Sequence, residues 1–163
     1  MRLVALVFWL VVCFGVALVG ARLTVREVKG WYKTLSRPVF NPPDGIFPVV
    51  WNVLYFVMAI AAWQIGGELP SRFRTAGLIL FVGQLALNLA WSWIFFRRHA
   101  LGAAFAEVLV LWAAIGATTL LFFQVRPSAG WLMTPYWAWV SFASVLNGAI
   151  WKLNGHTQTG TGR

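Results

Sequence analysis

The side chains able to do acid–base or metal chemistry are few in this chain, and their spacing argues against both. The only carboxylates are Glu27, Asp44, Glu68 and Glu107, and no two are spaced to act as a pair on one helix. His99 and His156 stand apart, and neither joins a cluster with metal-ligand spacing. No metal site is expected, and a buried histidine to ligate haem iron is lacking. Neither a nucleophile–base pair nor a glycine-rich phosphate loop is present, so no catalytic residue is assigned and no cofactor is required. Glu107 is the one carboxyl deep in an apolar run, where an ionisable group is a functional candidate by default. Its alternative is a protonated or hydrogen-bonded structural residue.

What the sequence does offer is aromatic rings and side-chain amides. Eleven tryptophans in 163 residues are more than the interfacial belts of so small a bundle require. Helical spacing sorts them onto faces. Gln84, Asn88, Trp91 and Phe95 stand at i, i+4, i+7 and i+11; an amide facing lipid would lose its hydrogen bonds at a cost of a few kcal/mol, so this stripe faces inward. Trp51, Tyr55, Met58 and Ala62 form a second stripe. Pro135, Trp139, Phe142, Ala143 and Asn147 form a third, with Tyr136 beside them. Each stripe alone is compatible with plain helix packing. Together they point to a shared aromatic cavity with few polar groups, suited to a flat hydrophobic ligand.

The elements that position these stripes follow from composition. The chain is 60% hydrophobic and 10% charged, against about a quarter charged in soluble domains. It reads as an all-α integral membrane protein of one domain, with five transmembrane helices at about 2–22, 46–67, 75–96, 100–124 and 130–153. Residues 154–163, rich in Gly and Thr, read as a disordered tail. The net charge of +9 lies scattered through short loops, which fits lipid headgroups and topology better than nucleic acid. The first apolar run could also be a signal peptide, since Val19-Gly20-Ala21 resembles a cleavage site. Its length and the spans that follow favour a retained helix. Val16/Gly20 and Ala17/Ala21 place small side chains one turn apart, allowing another helix to approach. The single cysteine, Cys13, lies in the same run and carries no redox signal.

An odd number of spans puts the termini on opposite sides. Arg2, Arg72, Arg74 and Arg126 then lie on one side, and Arg22, Arg26, Lys29, Lys33, Arg37, Arg97, Arg98, Lys152 and Arg163 on the other, a split of 4 against 9. The positive-inside rule places the first loop and the C-terminus in the cytoplasm of a bacterial cell membrane.

That first loop opens the stretch from Trp31 to Tyr55, which holds four of the seven prolines. Pro38, Pro42 and Pro43 exclude a helix from Arg37 to Pro43. Asp44-Gly45 supplies a turn, and the second span begins near Ile46 with Pro48 in its first turn. The loop is either an aromatic anchor in the headgroup layer or a lid over the cavity. Trp51 and Tyr55 continue down the second helix, which favours a structured lid formed by Pro38, Phe40, Pro42 and Pro43, stiffened so that closing costs little entropy.

The ordered words WYxxLxxPxFxPP (Trp31 to Pro43), FxxxW (Phe47 to Trp51), LY (Leu54-Tyr55), QxxxNxxW (Gln84 to Trp91), FF (Phe95-Phe96), PYxxW (Pro135 to Trp139) and LN (Leu146-Asn147) strongly resemble the tryptophan-rich sensory protein/translocator protein family, TspO/MBR, of bacterial type. The resemblance covers nearly all of the chain. It implies five transmembrane helices, usually in a homodimer, and a pocket beneath the first loop. That pocket binds porphyrins such as protoporphyrin IX, possible haem included, as well as isoquinoline and benzodiazepine-type ligands and, in eukaryotic members, cholesterol. Carried over by position, it would use Trp31, Tyr32, Trp51, Tyr55, Asn88, Trp91, Trp139 and Ala143; the stripes add Gln84 and Phe142. The resemblance further implies a role in tetrapyrrole sensing, transport or regulation. Its alternative is light-dependent porphyrin degradation, with Trp51 and Trp139 as photochemical candidates. A structural protein whose aromatics only pack and anchor is the remaining alternative. Family members are also found in outer membranes. The sterol-recognition pattern fails at Gly148, so specific sterol binding is not expected.

Overall fold

A computed structural model describes residues 2–155. Its elements are α1 (Arg2–Lys29), a short 3-10 turn (Trp31–Thr34), α2 (Ile46–Gly66), α3 (Arg72–Phe96), α4 (Leu101–Val125) and α5 (Pro127–Asn154). The described residues are all helix and connecting loop, with no strand. Four of the helices, α1 to α4, are long and apolar enough to cross a membrane. The fifth is as long as α1, 28 residues, but no stretch of it is as apolar, because its tryptophans are interspersed with Thr134, Ser141, Ser144 and Asn147.

Several helix ends lie outside the bounds expected from apolar text. The first helix runs seven residues past Arg22, because the polar segment Arg22–Lys29 contains no breaker before Gly30 and ends with Arg26 and Lys29 in the last turn, where cations suit the helix dipole. The third starts at Arg72, capped by Ser71, whose Oγ accepts from the Arg74 N–H at 3.1 Å. The fifth starts at Pro127, a residue whose missing N–H costs nothing in a first turn. It also extends through Asn154, which is buried rather than part of a tail. Residues 156–163 of the expected tail, His156 and Arg163 among them, lie outside the described residues.

The helices pack by seating aromatic rings against glycines. A Cβ built on Gly116 of α4 would lie 2.8 Å from Trp137 of α5, and one on Gly148 of α5 would lie 2.9 Å from Phe105 of α4. Gly102 of α4 receives Trp151 and Gly77 of α3 receives Phe122 of α4 at 3.0 and 3.1 Å. Such contacts leave no room for a methyl group. By contrast α1 buries little of itself. The Trp63 indole donates to the Arg2 carbonyl at 2.9 Å, Trp9 packs edge-on against Phe81 with ring centres 5.5 Å apart, and Cys13 is its one buried residue.

The turn between α3 and α4 is fixed by His99, which adopts φ 53°, in the left-handed region. Its ring stacks on Trp31 at 3.9 Å and 17°, and its Nε2 lies 3.0 Å from Glu27 Oε2. One side chain thus joins the end of α1, the 3-10 turn and the start of α4.

Gly116→Ala should cost about 1–3 kcal/mol by overpacking against Trp137 and lower the thermal unfolding midpoint in detergent. Gly83→Ala is the control, since its Cβ would meet nothing within 4 Å, and its midpoint should stay the same or rise.

Candidate functional site

Between the loop-one ends of the helices lies a cavity of about 420 Å³, within the range of small-molecule sites, about 300–1,000 Å³. Its walls come from all five helices, with Tyr32 of the 3-10 turn and Asp44 of the loop at the top. Seven of the residues expected to bind ligand line it: Tyr32, Trp51, Tyr55, Asn88, Trp91, Trp139 and Ala143. Both tryptophans considered for photochemistry, Trp51 and Trp139, are among them.

The polar side chains in its floor are bound to one another. The Tyr55 hydroxyl donates to Asn88 Oδ1 at 3.1 Å, the Asn88 amide donates to the Tyr136 hydroxyl at 3.1 Å, and that hydroxyl donates to Gln84 Oε1 at 2.8 Å. Higher up, the Trp91 indole donates to Asn147 Oδ1 at 2.9 Å, and the Asn147 amide donates to the Leu101 carbonyl at 3.3 Å. These bonds fix the side chains of α2, α3 and α5 and the start of α4. Trp139 differs: its indole N–H is buried and has no hydrogen-bond partner among the described residues.

Three of the expected binding residues stand outside the lining. Trp31 turns away onto His99 and Phe95. Gln84 lies below the floor as the last member of the tyrosine–amide chain. Phe142 stands behind Trp139, ring centres 5.5 Å apart, and against Phe40 of the loop at 6.4 Å. Glu107 lines no part of the cavity; both its carboxyl oxygens are buried without a hydrogen-bond partner among the described residues.

Pro38, Pro42 and Pro43 border a separate shallow concavity on the loop, together with Arg37, Asn41 and Asp44. The loop is held by polar contacts instead. The Tyr32 hydroxyl donates to Asn41 Oδ1 at 2.9 Å, and Arg37 pairs with Asp44 at 3.0 Å while lying over the Tyr32 ring. Burial pushes the Tyr32 phenol above its ordinary range, opposed by the nearby Arg37 charge, so the phenol stays a donor at neutral pH. Asn154, at the end of α5, accepts from the Ser36 backbone N–H at 3.0 Å and donates to the Ser36 carbonyl at 2.9 Å. This reciprocal pair clamps the loop to the bundle across 118 residues.

Sequence reasoning missed the α1 wall. Gly20, Thr24 and Val28 line the cavity at four-residue spacing, as do Ala17, Ala21, Val25 and Lys29. The signal was present in the small residues of this run, but they equally suit helix packing, and the helix was expected to end at 22. The Asn154 clamp had no signal beyond a single asparagine before a glycine.

Fold and site together define an α-helical integral membrane protein built around an internal aromatic cavity. Within that class, residues 9–152 match the TspO/MBR family, and the chain belongs to it. The "Tryptophan-rich protein TspO" of Chlorobaculum tepidum is 39% identical over 143 residues, 87% of this chain and 90% of the relative. The human "Translocator protein" is 38% identical over 138 residues, 83% and 82% of the two chains. The "Tryptophan-rich sensory protein" of Cereibacter sphaeroides is 36% identical over 146 residues, 90% and 89%.

Asn154→Ala leaves the Ser36 backbone groups unpaired in a partly buried setting, a loss of about 1–3 kcal/mol. Loop one should then be cut faster by limited proteolysis at 35–45, with the thermal midpoint of the bundle little changed.

Proposed function

We propose that this protein is a membrane receptor or transport protein that holds porphyrins, protoporphyrin IX foremost, and related flat hydrophobic ligands in the aromatic cavity, serving tetrapyrrole sensing, transport or regulation. One observation carries the reading: Trp51, Tyr55, Trp91 and Trp139 converge from three helices on a single cavity of about 420 Å³. Indole and phenol faces attract a planar conjugated ring by burial and by stacking, the latter at about 0.5–1.5 kcal/mol per pair. The floor amides are already satisfied by tyrosines and a tryptophan, so an apolar ring strips no hydrogen bond from them. The Trp139 N–H is left to meet an acceptor on the ligand.

In this reading α5 is the fifth membrane span, since it packs along α4 and supplies Trp139, Ala143 and Asn147 to the cavity. Loop one faces the cytoplasm, and two copies associate as a homodimer in a bacterial cell membrane. The excess of basic residues at the loop-one end supports the orientation.

Titrating the purified protein with protoporphyrin IX should quench tryptophan fluorescence saturably. Replacing Trp51 and Trp139 together by alanine removes two stacking faces and should weaken binding about 30- to 100-fold. Unchanged affinity in that double variant would show that the porphyrin binds elsewhere.

A further inference from the structure

The cavity is not enclosed on every side. Its lining includes Ala21, Val25 and Lys29 of α1 and Pro48 and Asn52 of α2, all of them exposed, Val25 by 51%. The first three recur at i, i+4 and i+8 and the other two at i and i+4, so each helix contributes one straight edge. At the opposite end the same two helices are closed together, Trp63 bonding the Arg2 carbonyl and Gly66 lying 3.5 Å, by a built Cβ, from the Trp9 indole. Nearer loop one the lining residues Ala21, Val25, Lys29, Pro48 and Asn52 are exposed, so the cavity reaches the surface between the two helices.

The edges of this gap are apolar with two exceptions. Asn52 donates its amide to the Pro48 carbonyl at 2.9 Å, within its own helix. Lys29 ends α1, where its stem can lie along the edge and its ammonium reach the headgroup layer. Two charged residues line the cavity, Lys29 and Asp44. Asp44 is occupied by Arg37, whereas the Lys29 ammonium makes no hydrogen bond or ion pair among the described residues.

We infer that the gap between α1 and α2 is a lateral portal through which a carboxylate-bearing amphiphile dissolved in the bilayer enters ring first, with Lys29 holding its carboxylate at the portal edge. The inference rests on the porphyrin reading above and adds to it a route and an anionic contact. A ring system partitioned among lipid tails meets apolar side chains along this route. Its carboxylate stays at headgroup depth, where a charge-assisted bond to an ammonium is strong. Entry through loop one would instead require breaking the Ser36–Asn154 clamp.

The test uses the full chain in phosphatidylcholine vesicles, with protoporphyrin IX and its dimethyl ester as probes and stopped-flow tryptophan quenching as readout. Lys29→Ala should weaken the diacid about tenfold, leave the diester within about twofold, and be rescued by Lys29→Arg. Val25→Trp, at an exposed edge of the opening, should slow association about fivefold or more, because a narrowed entrance raises the barrier to entry. Equal effects of Lys29→Ala on both probes, or an unaltered association rate in Val25→Trp, would overturn the portal while leaving the cavity reading intact. Failure of both probes to bind the unaltered protein saturably would overturn the cavity reading and the portal with it.

Discussion

A polar group inside a lipid-embedded bundle has no water to bond to, so it must find its partner in the protein. The chain Tyr55–Asn88–Tyr136–Gln84 is where this fold answers that constraint most extensively, leaving the Gln84 Nε2 without a partner among the described residues. It joins α2, α3 and α5 beneath the cavity, and each hydroxyl or amide in it has one position that satisfies its neighbour. The rings attached to those groups are therefore held in place too. Trp91, tied through Asn147 to the first residue of α4, is fixed in the same manner. These bonds tie α2, α3 and α5 together beneath the cavity, while glycine–aromatic contacts draw α4 against α5 and α3.

The loop-one end is built differently. There the holding contacts are few and specific: Ser36 with Asn154, Tyr32 with Asn41, and His99 between Trp31 and Glu27. The left-handed backbone at His99 is a cost that these side-chain contacts offset. Loop prolines limit the conformations of the segment without touching the cavity, so their contribution to closure acts through the stiffness of the unbound loop. Above a rigid floor there is thus a roof fastened at identifiable points, and one wall, α1, fastened at its start by Trp63 and at its end by His99.

The stripes on α2, α3 and α5 were legible in the sequence because helical spacing is preserved there and buried amides announce an inward face. Trp51, Tyr55, Asn88, Trp91, Trp139 and Ala143 follow directly from that spacing and from family resemblance. Trp31 and Phe142 were expected beside them and stand outside the lining, because a motif gives a residue's place along the chain and not the side toward which its ring turns. Gln84 shared the stripe but lies too deep to reach the cavity. The α1 wall was hidden by a different cause: its lining residues run from Ala17 to Lys29, across the expected helix end at 22, and the small residues of the apolar part suit helix packing equally well. Likewise the reach of α1 to Lys29 depends on helix propensity continuing beyond the apolar text, and the placement of Asn154 depends on a contact 118 residues away.

In the proposed complex a planar ligand lies among the tryptophans with its charged edge toward α1. A structure of the protein with bound protoporphyrin IX tests it most directly. The ring is predicted between Trp51 and Trp139, above the intact Tyr55–Asn88–Tyr136–Gln84 chain, with a carboxylate in hydrogen-bond reach of Lys29. A porphyrin found on the outer surface of the bundle, with the cavity occupied by side chains or lipid, would contradict it.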